Sequence, residues 1–460
     1  MITRRRLMVL AASMMMLPGI RSEDTPNLIV ILTDDQGYHD VGFNGCEDIP
    51  TPHIDSIARN GVRFTSGYVS YPVCGPSRAG LLTGRYQDRF GFTTNPTIDP
   101  SVAEAGIPLE EKNIAEHLSK AGYRSMIVGK WHMGSHRQNH PLNRGFDEFY
   151  GFLSGGHNYF PENYVLEDLS EVRKKWDWYR TRLIRNWERV DETEYLTDAL
   201  SREAVEFIDR QAGEVSPFFL YLAYNAPHTP LQASEKYLKR FSHIEDKSRR
   251  TYAAMVSSVD DGVRDVLAAL DRNGMTDNTI VFFLSDNGGA ANNSSNNSPL
   301  RGFKASMWEG GLRVPFAMQW KGVVPAGTDY DEPVISLDIL PTIARAAGVG
   351  ETPGKPFDGV DLVPFLKGER KGSPHETLKW RVFESGDFAI RSGDLKLLRE
   401  RDVDGALFDL SKDVSEVTPD ASGNESQKAL LRKEWELWEN ELQPQAFPSL
   451  SDVWWNDEKR

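Results

Sequence analysis

The chain of 460 residues has very few cysteines and, after its N-terminus, no long apolar run. Its two cysteines, Cys46 and Cys74, allow at most one disulfide, so a disulfide framework is excluded. Nothing after the N-terminal segment is long and apolar enough to predict a membrane-spanning helix. These absences predict a globular protein held by its apolar core.

Positive charge is also scarce, because 53 Lys and Arg face 67 Asp and Glu, a net charge of −14. The first 22 residues contain four arginines and no acids, so the net charge of the rest is −14 − 4 = −18. Such an acidic chain argues against nucleic acid or an anionic membrane as a partner. An anionic substrate would need a local cluster of basic side chains.

The N-terminus has the pattern of an export signal. Arg4, Arg5 and Arg6 precede a short apolar run, Leu7–Leu17, which is too short to span a bilayer comfortably. The pattern predicts a signal peptide over residues 1–22, of either the Sec or the twin-arginine type. We therefore expect an exported, periplasmic or extracellular protein, with bacterial origin favoured.

Continuous β-branched and apolar runs alternate with helical patterns, which predicts an α/β fold with a large, mostly parallel central sheet. The predicted strands are Asn27–Thr33, Tyr123–Gly129, Pro217–Tyr224 and Thr279–Leu284. The predicted helices are Asn113–Ala121, Thr251–Arg272 and Leu337–Ala347. Ligands of such sheets bind beyond the carboxyl ends of the strands, where most of the reactive side chains follow.

The pattern changes towards the C-terminus, which predicts a catalytic α/β domain over residues 23–365 and a small α+β subdomain over residues 366–460. Short antiparallel strands are predicted there, at Phe388–Arg391, Lys396–Arg399 and Ala406–Leu410. A helix over Ser426–Leu442 follows, with one apolar face predicted to carry Leu430, Leu431, Trp435 and Trp438.

Two segments interrupt the alternation of strands and helices. Residues 155–195 combine aromatic and basic side chains, for which a surface helix with inward-packed aromatics is favoured over a carbohydrate-binding wall. Residues 289–298 are polar and of low complexity, which predicts a flexible loop.

Residues 74–85 carry the most informative pattern, a tight turn that leads into a helix. Pro76 and Ser77 suit its first turn, where free N–H groups and the helix dipole attract anions. Cys74 would have a lowered pKa there, and the guanidinium of Arg78 would reach an oxyanion at the same place. The alternative for an isolated cysteine is a buried, inert side chain, which we also expect for Cys46.

Cys74-x-Pro76-Ser77-Arg78 followed by Leu81-Leu82-Thr83-Gly84-Arg85 closely resembles the signature of the type I sulfatases. The resemblance implies an alkaline-phosphatase-like fold and hydrolysis of sulfate esters. It further implies that a formylglycine-generating enzyme oxidises Cys74 to Cα-formylglycine (3-oxoalanine), leaving no partner for a disulfide.

Carboxylates follow two of the predicted strands, Asp34 and Asp35 after the first and Asp286 with Asn287 after the last. Each pair alone suits an ordinary turn. Together they supply hard oxygen ligands, which favour Ca²⁺ or Mg²⁺ over zinc. The resemblance implies one Ca²⁺ held by these four residues, with the modified Cys74 contacting the same ion.

Three further motifs resemble the family, at residues 129–134, 224–228 and 300–315. Lys130 and His132 are expected to point the same way from a strand end. The resemblance implies that Lys130 and Lys304 bind the sulfate and that His228 protonates the leaving group. It also implies that His132 helps to deprotonate the second hydroxyl of the hydrated formylglycine and that Arg78 holds this diol.

The segment around Arg301 resembles the branch that contains N-acetylgalactosamine-4-sulfatase and arylsulfatases, which implies a sulfated sugar or polysaccharide as substrate. Candidate substrate contacts are Ser154, His157, Asn158, Arg301 and Trp308. Two alternatives stay open: a phosphonate monoester or phosphodiester hydrolase that shares the cysteine signature, and an inactive glycan-binding homologue with unmodified Cys74.

Overall fold

The computed structural model describes residues 25–420 and 425–450, and the predicted signal peptide lies outside them. The helices are α1 (Pro52–Arg59), α2 (Cys74–Thr83), α3 (Ile114–Leu118), α4 (Leu196–Gln211), α5 (Glu235–Leu238), α6 (Lys247–Arg272), α7 (Glu309–Leu312), α8 (Ile339–Ala346), α9 (Val363–Leu366) and α10 (Glu425–Glu439). None of these helices has both the length and the apolar composition that crossing a bilayer requires.

The strands fall into a ten-stranded sheet, a two-stranded pair and a four-stranded sheet. They are β1 (Asn27–Thr33), β2 (Val62–Phe64), β3 (Gly67–Tyr68), β4 (Arg124–Lys130), β5 (Glu148–Phe152), β6 (Leu183–Arg185), β7 (Glu188–Val190), β8 (Phe218–Ala223), β9 (Thr279–Ser285), β10 (Phe316–Gln319), β11 (Thr328–Tyr330), β12 (Val334–Ile335), β13 (Leu378–Val382), β14 (Asp387–Ser392), β15 (Leu395–Glu400) and β16 (Val403–Asp409).

The large sheet has the order β11-β2-β10-β9-β1-β8-β4-β5-β6-β7. Its centre, from β9 to β5, is parallel, with Leu28 of β1 in register with Phe219 of β8 and Ile280 of β9. Antiparallel pairs join β10 to β9 and to β2 on one side and β5, β6 and β7 on the other. The predicted mostly parallel α/β sheet is confirmed.

Both faces of this sheet are buried, which explains the continuous apolar runs of the central strands. Along β1, Leu28, Val30 and Leu32 pack into one core, whereas Ile29 and Ile31 pack into the other. Helices α2, α3 and α8 cover the first face, and α1, α4 and α6 cover the second. The result is a three-layer unit whose strand ends share one edge.

The small antiparallel sheet β13–β16 packs with α10 into a third core that also takes in Met307 and Leu312. In α10, Leu431, Trp435 and Trp438 are buried, but Leu430 is 65% exposed. The prediction that Leu430 shares their face is therefore wrong, because it lies one residue, about 100° of helical rotation, away from Leu431. A domain boundary after residue 365 stays a prediction.

Residues 155–195 do not form the favoured surface helix. Short 3₁₀ turns and the hairpin β6–β7 replace it, with Trp178 and Tyr179 buried and Trp176 and Trp187 exposed. A helix needs one regularly spaced apolar stripe, whereas here the buried side chains follow contacts with distant loops. Cys46 is half-buried rather than buried, and its thiol donates to Asp48.

Candidate active site

The predicted metal-binding and catalytic side chains meet at one edge of the large sheet because the four adjacent strands β9, β1, β8 and β4 are parallel. Asp34 and Asp35 follow β1, Asp286 and Asn287 follow β9, and Lys130 ends β4. Backbone bonds continue between the strand ends, from the Asp34 N–H to Ala226 O (3.2 Å). The predicted gathering of these side chains is what the sheet topology produces.

The acidic side chains form a compact oxygen-rich cluster. Ligand atoms of Asp34, Cys74 and Asp286 lie within 4.8 Å of one another, as do those of Asp34, Asp35 and His228. Asp34 Oδ1 and Asn287 Oδ1 are buried without a hydrogen-bond partner in the structure. Buried oxygens without donors, together with adjacent carboxylates, are the donor set that suits a hard divalent cation.

Basic side chains surround the same carboxylates. Arg78 Nε donates to Asp286 Oδ2 (2.8 Å), Lys130 Nζ to Asp34 Oδ2 (2.6 Å), and Lys304 Nζ to Asp35 Oδ1 (2.6 Å). Burial raises the pKa of Asp35, but the charges of Lys304 and His228 outweigh it and hold that pKa well below its usual range. Burial and the charge of Asp34 raise the pKa of Asp286 to about 6, against the effect of Arg78.

Cys74 is the first residue of α2, and its sulfur lies 3.4 Å from Lys304 Nζ. The next N–H, of Gly75, donates to Asn95 Oδ1 (2.9 Å), and the Ser77 N–H donates to Val73 O (3.1 Å). Burial raises the pKa of the Cys74 thiol, and the charges of Lys130 and Lys304 only partly oppose it. The predicted lowering of this pKa at the helix N-terminus is therefore wrong.

Arg78 lies one turn after Cys74 and is completely buried. Besides its bond to Asp286, its Nη1 donates to the carbonyl of Lys130 (3.2 Å). Arg78 thus ties α2 to the ends of β9 and β4. In this arrangement it fixes the position of the Asp286 carboxylate beside residue 74.

A cavity of about 270 Å³ opens above this cluster. Cys74, Asp35, Lys304, His132 and His228 line its inner part. His228 Nε2 lies 3.6 Å from Asp35 Oδ2, and Nδ1 lies 2.6 Å from Thr229 O. Lys130 lies beneath the cavity, bonded to Asp34. The site thus presents one ammonium group and two imidazoles around the sulfur.

Lys130 and His132 are expected to point the same way because both would belong to an extended strand end, and this premise is wrong. Strand β4 ends at Lys130, and His132 has a φ of 60°, in the left-handed region. Burial and the charges of Lys130 and Arg78 hold the pKa of His132 well below its usual range. A neutral imidazole at this place can accept a proton.

The predicted substrate contacts lie outside the set of side chains that line the cavity. Ser154 donates to Gly156 O (2.9 Å), and the ring nitrogens of His157 bond the carbonyls of Asn158 and Thr181. Asn158 donates a hydrogen bond to the carbonyl of Tyr179 and accepts one from Gln232. Trp308 is buried in the third core, and the Arg301 guanidinium lies 3.7 Å from the centroid of its ring. None of these five side chains lines the cavity, so their role as substrate contacts stays a prediction.

Sequence reasoning missed side chains that hold the site together. Asn293 donates to the carbonyl of Asp35 (3.0 Å), and Asn297 accepts from the N–H of Gly289 (3.0 Å). Both asparagines are buried, so residues 289–298 are anchored rather than the predicted flexible loop. Lys396 of the small sheet bonds Glu309 and Glu416 (2.9 Å each), which fixes α7 close to Lys304. No local sequence signal marks these long-range contacts.

A family model described as Sulfatase matches residues 26–349, which include every candidate metal ligand and catalytic residue. The chain belongs to the sulfatase family. A second family model, for the C-terminal part of N-sulphoglucosamine sulphohydrolase, matches residues 303–444 of this sulfatase.

Relatives of this chain are named as sulfatases. It is 36% identical over 382 residues to N-acetylgalactosamine-6-sulfatase of Mus musculus, covering 80% of this chain and 71% of that protein. It is 34% identical over 407 residues to the uncharacterized sulfatase YdeN of Escherichia coli (strain K12), covering 77% of this chain and 68% of that one.

Two solved structures share the fold of this chain. Ps i-CgsB in complex with k-i-k-neocarrahexaose is 41% identical, with a TM-score of 0.88, covering 94% of this chain and 97% of that chain. PsFucS1 sulfatase from Pseudoalteromonas sp. is 28% identical, with a TM-score of 0.77, covering 91% and 90%. The alkaline-phosphatase-like sulfatase fold predicted from the sequence is confirmed.

Proposed function

We propose that this sulfatase removes sulfate from a sulfated oligosaccharide or polysaccharide, with Cys74 converted to formylglycine and one Ca²⁺ bound. Sulfate ester hydrolysis follows from the family. The observation that carries the site assignment is the position of the Cys74 sulfur, 3.4 Å from Lys304 Nζ at the base of a cavity. A cation at this distance neutralises the oxygens of a sulfate placed on residue 74.

The four residues Asp34, Asp35, Asp286 and Asn287 would hold the ion. Their fit rests on the two buried oxygens without donors and on the clustered carboxylates. A bound Ca²⁺ would supply positive charge beside residue 74, and formylglycine would supply a geminal diol as nucleophile. Arg78, through Asp286, keeps one of these carboxylates in place.

Of the remaining side chains, the two lysines would supply positive charge and the two histidines would transfer protons. Lys304 reaches the sulfur directly, and Lys130 acts from beneath the cavity through its contact with Asp34. His228 lines the cavity and would donate a proton to the departing sugar alkoxide oxygen, whereas neutral His132 would accept one from residue 74.

The substrate class is proposed from two supports. N-acetylgalactosamine-6-sulfatase is named for a sulfated sugar, and the Ps i-CgsB structure contains a neocarrahexaose. The cavity of this chain also has an aromatic side, formed by Trp176 and Tyr179, which suits a sugar ring. The finer likeness to N-acetylgalactosamine-4-sulfatase stays a prediction.

We further propose that the protein is exported and that a formylglycine-generating enzyme is its maturation partner. The support for export is the basic and apolar pattern of residues 1–22. The support for maturation is the Cys-x-Pro-Ser-Arg pattern at residues 74–78.

Neither alternative has comparable support. Phosphonate monoester hydrolase of Agrobacterium radiobacter is 20% identical, with a TM-score of 0.63, which shows a shared fold alone. The inactive glycan-binding alternative has to account for an acidic cluster, two lysines and two histidines that all surround Cys74.

The test is sulfate release, measured by ion chromatography, from a panel of sulfated oligosaccharides. Peptide mass first establishes formylglycine at position 74 of the enzyme used. We expect release from one sugar class and loss of release in Cys74→Ala. A fully modified enzyme that releases no sulfate from any sugar, but cleaves a phosphonate monoester or a phosphodiester, would contradict the proposal.

A further inference from the structure

One side of the active-site cavity is an aromatic wall made of Trp176, Trp178 and Tyr179, from the segment between β5 and β6. The ring centroids of Trp176 lie 5.2 Å from Trp178 and 5.5 Å from Tyr179. Tyr179 and Trp178 are buried, whereas Trp176 is 54% exposed at the outer end of the wall. The wall therefore runs from the catalytic residues to the rim of the cavity.

The inner end of the wall contacts the catalytic machinery. The Tyr179 ring packs edge-to-face against His228 at 6.4 Å between centroids. Cys74 and Lys304 line the same cavity from its base. A ligand that fills the cavity meets positive charge at one end and aromatic faces along its side.

The backbone of Trp176 has a strained conformation. Its φ of 73° lies in the left-handed region, which is strained for a bulky residue. The Asp177 carboxylate accepts the N–H of Lys174 (3.1 Å), and Trp176 O accepts the N–H of Tyr179 (3.1 Å), so the turn is fixed. Because more than half of Trp176 is exposed, core packing does not explain a tryptophan here.

The cavity of about 270 Å³ is slightly smaller than the roughly 300–1,000 Å³ typical of ligand pockets. It therefore suits one sulfated sugar, and Trp176 at the rim meets whatever is attached to that sugar. One face of a pyranose ring is made largely of C–H groups, which pack on an indole as other apolar groups do.

We propose that Trp176 is a stacking platform for the sugar ring next to the sulfated one. This inference rests on the proposed function and makes it narrower: the preferred substrate is an oligosaccharide or polysaccharide rather than a sulfated monosaccharide. The platform binds the neighbouring ring without touching the reacting atoms, so its loss affects substrate binding more than the chemical step.

The experiment compares Trp176→Ala with Trp187→Ala as a matched control. Trp187 belongs to the same segment and is also exposed, but it stacks on His140 at 3.9 Å and does not line the cavity. For each variant, kcat and KM are measured for sulfate release from a sulfated tetrasaccharide and from the matching sulfated monosaccharide.

We expect Trp176→Ala to raise KM for the tetrasaccharide about tenfold, with kcat and the monosaccharide reaction nearly unchanged. Trp187→Ala should leave all values unchanged, and Trp176→Phe should restore most of the binding. Trp176→Asn serves as a second variant, because asparagine adopts the left-handed conformation readily. Thermal midpoints of all variants check that they are folded.

Two outcomes would overturn the platform. One is a KM for the tetrasaccharide that is unchanged in both Trp176→Ala and Trp176→Asn. The other is a KM that rises equally for the tetrasaccharide and the monosaccharide. In both cases the wild-type enzyme still releases sulfate, so the proposed function stands. A modified wild-type enzyme that releases no sulfate from any sugar contradicts the proposed function itself and the platform with it.

Discussion

At the scale of single residues, His228 shows how the site sets the protonation of a side chain. Burial lowers the pKa of its imidazole to about 4, the charges of Lys304 and Lys130 add to this effect, and Asp35 opposes it. Both ring nitrogens nevertheless face oxygen atoms, of Thr229 and Asp35. An incoming sulfate ester adds negative charge and raises this pKa, which favours the protonated form when substrate is bound.

His228→Ala should therefore lower kcat according to the leaving group. For a sugar sulfate, whose alkoxide needs a proton, we expect a loss of about 10²–10⁴-fold. For 4-nitrophenyl sulfate, whose phenolate leaves without protonation, the loss should be much smaller. Steady-state kinetics on both substrates checks this, with His243→Ala, an exposed histidine, as the control. Equal losses on both substrates would contradict a role as proton donor.

At the scale of elements, α10 shows the limit of reading a helix face from composition. Its apolar residues at positions 430, 431, 435 and 438 fit one broad stripe in the sequence. Packing against the small sheet selects Leu431, Trp435 and Trp438, with Trp435 stacked on Phe388 at 4.2 Å between centroids. Which residues of the apolar stripe of α10 are buried depends on the surface of the small sheet, whose strands are distant in the sequence.

Leu431 and Leu430 form a matched pair for measuring this selection. Leu431→Ala should destabilise the protein by about 2–4 kcal/mol, because it removes a buried side chain and leaves a cavity. Leu430→Ala should change stability by no more than about 0.5 kcal/mol. Thermal or urea denaturation measures both. Similar effects of the two substitutions would contradict the packing of α10 described above.

At the scale of the whole molecule, the large sheet and α2 meet at the active site, and the small sheet bonds a second helix, α7. Asp34 follows β1, Asp286 follows β9 and Cys74 begins α2, while Lys396 of the small sheet bonds Glu309 of α7. Several carboxylates buried together repel one another, so a bound cation would stabilise the folded state as well as the reaction.

Removal of Ca²⁺ with a chelator should therefore lower the thermal midpoint and abolish activity, and added Ca²⁺ should restore both. Ion at 100 times its Kd would contribute about 2.7 kcal/mol to the free energy of unfolding. Asp34→Asn should weaken this dependence, whereas Asp277→Asn, at an exposed ion pair with Lys321, should retain it. A midpoint insensitive to chelator and to Ca²⁺ would contradict the proposed calcium site.

The sequence by itself determined the central strands and the residues that follow them. Buried parallel strands are continuous apolar runs, and their carboxyl ends share an edge, so Asp34, Asp286 and Lys130 could be placed together without a structure. The motif that begins at Cys74 identified the family, because its residues lie close together in the sequence. In all these cases the signal lies within a few consecutive residues.

Only the tertiary structure decided how deeply Cys74 is buried and which aromatic side chains line the cavity beside it. The raised pKa of Cys74 comes from its burial among strand ends, and the aromatic wall comes from a segment about a hundred residues further along the chain. The same contacts place His157 and Trp308 within the protein rather than in the cavity. Burial and long-range packing set these features, and neither leaves a periodic or local pattern in the sequence.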